Sequence, residues 1–226
     1  MTERVDGGWL LRATPGLHRG RSNHALTPCR PLSVEETPAA IDRVEEFARR
    51  QGIAPGIQVS PLVLHGRLMS ELDHRGWGRR WPVLVLAAPV ADAGGPSAGM
   101  ALELADRATP EWLAAWARCE PGRDVEAHAG TVFRRLAGLA TFARLRDVAV
   151  GIAVEGDGLV GLFCLAVDPA HRRGGLGTEV VRTLLSRSAA SIAYLQVEES
   201  NAPAIALYAR LGFSEAYRYC HRVAPR

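Results

Sequence analysis

The sequence predicts an α/β protein, and three observations carry that prediction. Apolar runs of strand length, rich in Val, Leu and Ile, fill 81–88, 159–167 and 192–197. Between such runs, apolar residues recur at helical spacing, as in Ile41, Val44, Phe47 and Ala48 or in Val180, Val181, Leu184 and Leu185. One strand also leads through a basic, glycine-rich turn straight into a helix, over Val167-Asp168-Pro169-Ala170-His171-Arg172-Arg173-Gly174-Gly175-Leu176-Gly177-Thr178.

Segments 9–12 and 24–28 read as two short strands joined by a Gly/Arg-rich connection. Thr37-Pro38 opens a helix, with Pro at its first position, and Gly52 ends it. A short strand at 57–59 precedes a helix lined by Leu64, Leu68 and Leu72, which stops at Gly76. The run 81–88 is a buried strand. Segment 91–99, crowded with Gly and Pro, is the best linker, so two regions are expected, 1–95 and 96–226. In the second, 100–105 reads as a strand, and Thr109-Pro110-Glu111 starts a helix carrying Trp112 and Trp116 that breaks at Pro121-Gly122. Val125, Val132, Phe133, Leu136, Leu139 and Phe142 predict one long amphipathic helix. Strands 148–154 and 159–167 form a hairpin about Glu155-Gly156-Asp157-Gly158. The glycine turn then feeds a helix, followed by the strand 192–197, a helix after Asn201, and a closing strand at 217–223.

With 226 residues, 47% of them hydrophobic, the chain can bury a sizeable core. The net charge of +3 is mild and comes from arginine. It suits an anionic cofactor and is too small to argue for nucleic acid. Cys29, Cys119, Cys164 and Cys220 are scattered, with neither metal-ligand spacing nor a disulfide framework, so no metal is expected. No window reaches the ~20 apolar residues of a membrane span. The expectation is a cytoplasmic protein with no membrane or nucleic-acid partner, as monomer or homodimer.

Glycine lets successive backbone N–H groups line one hollow, and the following helix aims its unpaired first-turn N–H groups and positive dipole end at the same place. Arg172 and Arg173 add formal charge, so the turn suits a pyrophosphate. It lacks the Gly-Lys-Ser/Thr of a Walker loop, and it lacks the third glycine and downstream acid of the dinucleotide fingerprint. It does match Arg/Gln-x-x-Gly-x-Gly/Ala. A second stretch, Asn201-Ala202-Pro203-Ala204-Ile205-Ala206-Leu207-Tyr208-Ala209-Arg210-Leu211-Gly212-Phe213, matches Asn-x-x-Ala-x-x-Leu-Tyr-x-x-x-Gly-Phe. Both patterns, in this order, resemble the GCN5-related N-acetyltransferase (GNAT) superfamily over roughly residues 100–223.

The resemblance implies a mixed, mostly antiparallel sheet, flanked by helices and splayed between two strands, with acetyl-CoA as cofactor. It implies that Arg172, Arg173, Gly174, Gly175, Leu176, Gly177 and Thr178 surround the pyrophosphate. It further implies that the main chain of Leu165, Ala166 and Val167 pairs with the pantetheine, and that a backbone N–H near Leu165 polarises the acetyl carbonyl. Asn201 holds the cofactor or bridges the splayed strands, caps its helix, or does both. Tyr208 is the expected general acid beside the leaving sulfur and a cofactor contact, or else a core tyrosine. For the base, Glu198 and Glu199 are the nearest carboxylates, acting through water, or else a solvated strand end. His171 reads as a phosphate contact and Cys164 as a small buried hydrophobe.

The first ~95 residues echo the later order of elements without the phosphate turn. They read as an α/β region that is either a degenerate GNAT half-domain or an unrelated extension, forming a substrate wall and binding no cofactor. The whole-chain pattern is similar to a narrower actinobacterial branch that includes N-acetylglutamate synthases. Here the branch's Arg-Arg-Ala-Asn-Ser-Val is altered to Gly20-Arg21-Ser22-Asn23-His24-Ala25. Arg19 and Arg21, crowded with Arg30, His18 and His24, are candidate carboxylate-binding residues for an amino acid such as glutamate. The function expected is direct transfer of acetyl to a primary amine of a small molecule. The alternatives are a protein lysine or N-terminal amine as acceptor, or a non-catalytic acyl-CoA-binding module.

Overall fold

The computed structural model describes residues 2–4, 7–14, 17, 20–94, 99–122 and 124–225. Two compact units form. Unit 1 holds residues up to Leu84 together with those from Tyr217 onward, and unit 2 is Val85–Ala216. The units are not divided linearly at 95/96, because the last strand of the chain hydrogen-bonds to a strand of unit 1. Of the expected linker, Val90–Gly94 is a short helix, and 95–98 lie outside the described residues.

Unit 1 opens with β1 (Thr2–Arg4) and β2 (Leu10–Arg12), paired antiparallel. A single helical turn, α1 (Gly20–Asn23), leads into β3 (Ala25–Leu26). Asn23 ties this corner together: its Oδ1 accepts from Thr14 N at 2.8 Å, and its amide donates to Leu17 O. Helix α2 (Glu36–Gln51) follows and ends on left-handed Gly52. Its start is a reciprocal cap, with Ser33 N donating to Glu36 Oε2 and Glu36 N donating to Ser33 Oγ. That pair, rather than Thr37-Pro38, sets the N-terminus. Strand β4 (Gly56–Val59) pairs parallel with β3, and α3 (Gly66–His74) follows a 3-10 turn at Leu62–Leu64. The chain then leaves unit 1 along β5 (Gly78–Pro89). Trp9, Leu11, Ile41, Ile57, Leu68 and Leu72 form the buried core, each contributing about 1.5–3 kcal/mol by burial.

Unit 2 begins with α4 (Val90–Gly94) and the short β6 (Glu103–Ala105). Helix α5 (Pro110–Cys119) is capped by Thr109, whose Oγ1 accepts from Trp112 N. Trp112 then packs against Phe133 and Phe142 and donates its indole N–H to Ala143 O at 3.0 Å. The long helix expected over 125–142 is not formed. The chain makes α6 (Val125–His128), a π-helical segment (Ala129–Phe133) and α7 (Arg134–Leu136), then turns at left-handed Gly138 into β7 (Ala140–Leu145). Phe142 is therefore a strand residue opposite Ile152, because pairing along β8 satisfies a whole row of backbone groups that a solvent-facing helix end would not.

Strands β8 (Ala149–Gly156) and β9 (Leu159–Val167) form the expected hairpin, turning through Asp157 and Gly158, both with positive φ. Helix α8 (Leu176–Leu185), β10 (Ile192–Glu198) and α9 (Ala202–Arg210) follow. The order within unit 2 is β10-β9-β8-β7-β6, antiparallel except for β9 with β10. Finally β11 (Ser214–Val223) carries the chain back to unit 1, where Cys220 to Val223 pair antiparallel with β4.

Candidate functional site

Strands β9 and β10 run parallel and pair from Leu159/Ile192 only as far as Leu162/Leu195. Beyond that point β9 continues to Val167 and β10 to Glu198 without mutual register. The strands part, and the β10-facing edge of β9 over residues 163–167 is left without a strand partner among the described residues. A bulge sits at the same place. Ile152 faces Phe163 but Val150 faces Ala166, so two residues, Cys164 and Leu165, oppose Gly151 alone. Cys164 takes a left-handed φ of 49°, rare for a non-glycine residue. The sequence reading treats Cys164 as a packing residue. Its place as the pivot of the bulge was not legible, because no turn residue marks it.

The basic turn follows at the end of β9. Asp168 Oδ1 accepts from Ala170 N at 2.9 Å and its other oxygen lies 3.6 Å from His171, so His171 is held by its own turn. Arg172 Nε donates to Val167 O at 3.2 Å, pinning the turn to the strand end. Arg172, Arg173, Gly174 and Gly175 are exposed. Gly175 precedes the first turn of α8 with a φ of 78°, a conformation that costs any residue with a Cβ. No side chain caps the amides of that turn. Gly177 is buried, and a Cβ there would meet Leu207 Cδ1 at 3.0 Å, so its absence lets α9 approach the start of α8.

Helix α9 carries Tyr208, which is buried and packs edge-on to Phe213. Burial pushes its phenol up to about 12, so the hydroxyl stays protonated at any working pH. Asn201 caps α9, its Oδ1 accepting from Ala204 N at 3.2 Å. Glu198 and Glu199 are exposed at the end of β10. Leu165 and Val167 are half-buried, while Ala166 faces the aromatic core of unit 2. A groove of about 430 Å³ lined by Leu139, Glu155 and Arg187 lies at the hairpin end of β8 and β9 and holds none of these residues.

Of the arginine group expected in unit 1, the structure describes only some members. Arg19 and His18 lie outside the described residues. Arg30 closes bidentately on Glu36, at 3.0 and 2.7 Å, and so braces helix α2. Arg21 is exposed on α1. His24 is buried against His221, a contact across 197 positions that sequence reasoning missed and no local pattern could signal.

A family model described as probable histone acetyltransferase Rv0428c C-terminal matches residues 1–222. The chain belongs to that family. It is similar over 121 residues, at 31% identity, to the uncharacterized N-acetyltransferase YobR of Bacillus subtilis (strain 168), covering 50% of this chain and 49% of YobR. It is 47% identical over 58 residues to the ribosomal protein bS18-alanine N-acetyltransferase of Escherichia coli (strain K12), covering 24% of this chain and 39% of that protein. The chain thus spans half or less of the length of these curated relatives. Among solved structures, the GCN5-related N-acetyltransferase from Kribbella flavida aligns with a TM-score of 0.67 and 20% identity, over 90% of this chain and 82% of that one. The tandem GNAT protein from the clavulanic acid biosynthesis pathway aligns at 0.65 and 16%, over 89% and 74%. At these identities the likeness is one of fold, and the fold is that of the GNAT superfamily.

Proposed function

We propose that the protein is an acetyl-CoA-dependent N-acetyltransferase that moves acetyl to a primary amine by direct transfer in a ternary complex. The observation that carries this reading is the parting of β9 and β10 beside an uncapped helix start, with a buried tyrosine on the next helix. The residues fit the cofactor. Backbone N–H groups of Gly174 to Thr178, with Arg172 and Arg173, offer donors and charge to a pyrophosphate. The open edge of β9 from Leu165 to Val167 offers amides to a pantetheine arm. The cofactor supplies an acetyl thioester. An N–H near Leu165 would stabilise its carbonyl oxygen as charge develops.

The amine forms the new C–N bond as the C–S bond breaks, and the proton that the amine sheds ends on the thiolate. A phenol at about 12 is a weaker acid than a thiol at roughly 8.5. Tyr208 therefore serves as a fixed hydrogen-bond donor to the sulfur, passing a proton only as another replaces it. Glu198, exposed to water, accepts the amine's proton through a bridging molecule.

The acceptor we assign is the amine of a small molecule, with an amino acid such as glutamate as the leading member. A protein amine is the second reading, favoured by the names of the family and of the bS18-alanine enzyme. The test is release of free CoA thiol across a panel of amino acids, polyamines and peptides with N-terminal alanine or internal lysine. Turnover with at least one amine is expected. Tyr208→Phe should then lower kcat by about 10²–10⁴-fold with CoA affinity intact. No turnover with any amine, at full CoA binding, would leave the non-catalytic module as the better account.

A further inference from the structure

Unit 1 carries a second group of chemically capable side chains that acetyl transfer does not use. Leu11, Ile57 and Val59 point into its core, so strand alternation puts Arg12 and Gln58 on the other face, with His221 directly opposite Gln58. There His24 and His221 meet with their Nδ1 atoms 2.9 Å apart, both rings buried. One ring must donate and the other accept, so the accepting imidazole is neutral, and burial lowers the basicity of both rings. Arg12 frames the pair, its Nε donating to His24 O at 2.7 Å and its Nη2 donating to Gln58 Oε1 at 2.8 Å. Trp81 stands beside both rings, 5.7 Å from His221 and 6.2 Å from His24 between centroids. It is nonetheless 49% exposed, and its φ is 44°, a costly conformation for so bulky a residue.

The electrostatics of this face are unbalanced. Burial lowers the Arg12 guanidinium to about 10; the nearby Tyr219 phenol offsets part of that, and the charge of Arg21 adds to it. No carboxylate among the described residues pairs with Arg12. A desolvated cation held without a counter-charge is expensive, and an anion that completes it recovers that cost. Among the described residues, two of the five guanidinium N–H groups find hydrogen-bond acceptors, which leaves a fork for a carboxylate. The solvent-facing indole of Trp81 offers an apolar surface for the carbon skeleton attached to it.

We propose that Arg12, Gln58, His24, His221 and Trp81 form a binding site for a small carboxylate of the amino-acid or dicarboxylate class. One guanidinium fork beside neutral imidazoles matches the charge and shape of a single carboxylate better than the three anionic oxygens of a phosphate. Trp81 is the one tryptophan of the five with its ring in solvent, since Trp9, Trp77, Trp112 and Trp116 are all buried, so its fluorescence reports on this face.

The full-length protein would be titrated with glutarate, L-glutamate, glutaramide and inorganic phosphate, without acetyl-CoA. A saturable fluorescence change with glutarate or glutamate, absent with glutaramide, is expected. Trp81→Phe should remove the signal while calorimetry still detects binding. Arg12→Met should weaken binding at least tenfold, with CoA affinity unchanged as the control for folding. Should Arg12→Met fail to fold, Arg12→Lys, which keeps the charge and loses the fork, is expected to weaken binding several-fold. Absence of saturation by about 10 mM, an equal response to glutaramide, or tighter binding of phosphate than of glutarate would overturn the assignment. So would wild-type affinity in whichever Arg12 variant folds. Because binding is read without acetyl-CoA, failure of acetyl transfer to any amine would not touch this result.

Discussion

Helices α2 and α8 begin in opposite ways. Helix α2 starts with Ser33 and Glu36 satisfying each other's backbone N–H, and the Arg30 fork holds the Glu36 carboxyl down at about 2. Helix α8 starts on Gly175 with no side-chain cap, behind a turn that exposes Arg172 and Arg173. Every helix leaves its first N–H groups without internal partners. In α2 Ser33 Oγ takes up one of those donors, the N–H of Glu36, and Pro38 has none to offer, and the helix end becomes structural. In α8 they remain available, with positive charge added and a glycine keeping the approach open. The same backbone feature is thus a brace in unit 1 and a candidate anion hollow in unit 2, and a few side chains decide which.

The most direct way to break this contrast is Gly175→Glu. A side chain at φ 78° costs about 1–2 kcal/mol, and its carboxylate would occupy the hollow meant for phosphate. The strain lowers folding stability, and the lost charged hydrogen bond, about 1.5–3 kcal/mol, should lower CoA affinity by about ten- to a hundredfold. Wild-type affinity by calorimetry would show that the α8 start is as closed as that of α2.

A second measurement asks whether the polar face of unit 1 is as inert to acid as the rest of the chain. Burial and the charge of Arg12 draw the His24 imidazole well below its ordinary 6.5, and His221 is lowered by burial, by His24, by Arg12 and by Arg21. Tyr219 also packs against His221 and is buried with it. Below about pH 6.5 the unfolded chain takes up protons that the folded one refuses. Stability is therefore full above that pH and falls as the pH drops through it, by up to about 1.4 kcal/mol per unit for each histidine. Denaturant midpoints between pH 7.5 and 5.5 should show a loss of about 2–3 kcal/mol, flattened in His221→Gln. A flat wild-type profile would mean that the pair accepts protons freely.

The smallest effect sharpens the contrast from the other side. Ser33→Ala removes one half of the reciprocal cap and should cost about 1 kcal/mol in chemical denaturation, with no effect on CoA binding. A shift in CoA affinity would show that the brace and the hollow are coupled.

The turn from Arg172 to Thr178, the helix behind it and the strand before it were legible because their signals are local: glycines at fixed offsets, an apolar run, a helical repeat. Tyr208 came with its helix for the same reason. Phe142 was misplaced because Val125, Val132, Phe133 and Leu136 keep helical spacing up to the point where Gly138 turns the chain. Only the distant β8 reveals that Ala140 to Leu145 pairs as a strand. The Ser33–Glu36 cap was readable as Ser-x-x-Glu but was overshadowed by Thr37-Pro38. The clustering of Arg12, His24 and His221 has no local signature at all. Its members meet only because β2, β3, β4 and β11 lie in succession in one sheet, with His24 just ahead of β3.

That neighbourhood also sets an order of events during synthesis. Residues of β4 leave the ribosome early, yet their antiparallel partner, Cys220 to Val223, is made after all of unit 2. At synthesis rates of roughly 5–20 residues per second, the edge carrying Ile57 and Val59 waits on the order of ten seconds or more for its closing strand. An open strand edge with apolar side chains invites pairing with another chain. Unit 1 is thus begun before unit 2 and completed after it, and a nascent chain stalled before Tyr217 would hold every residue of unit 2 while the sheet of unit 1 still lacks its closing strand.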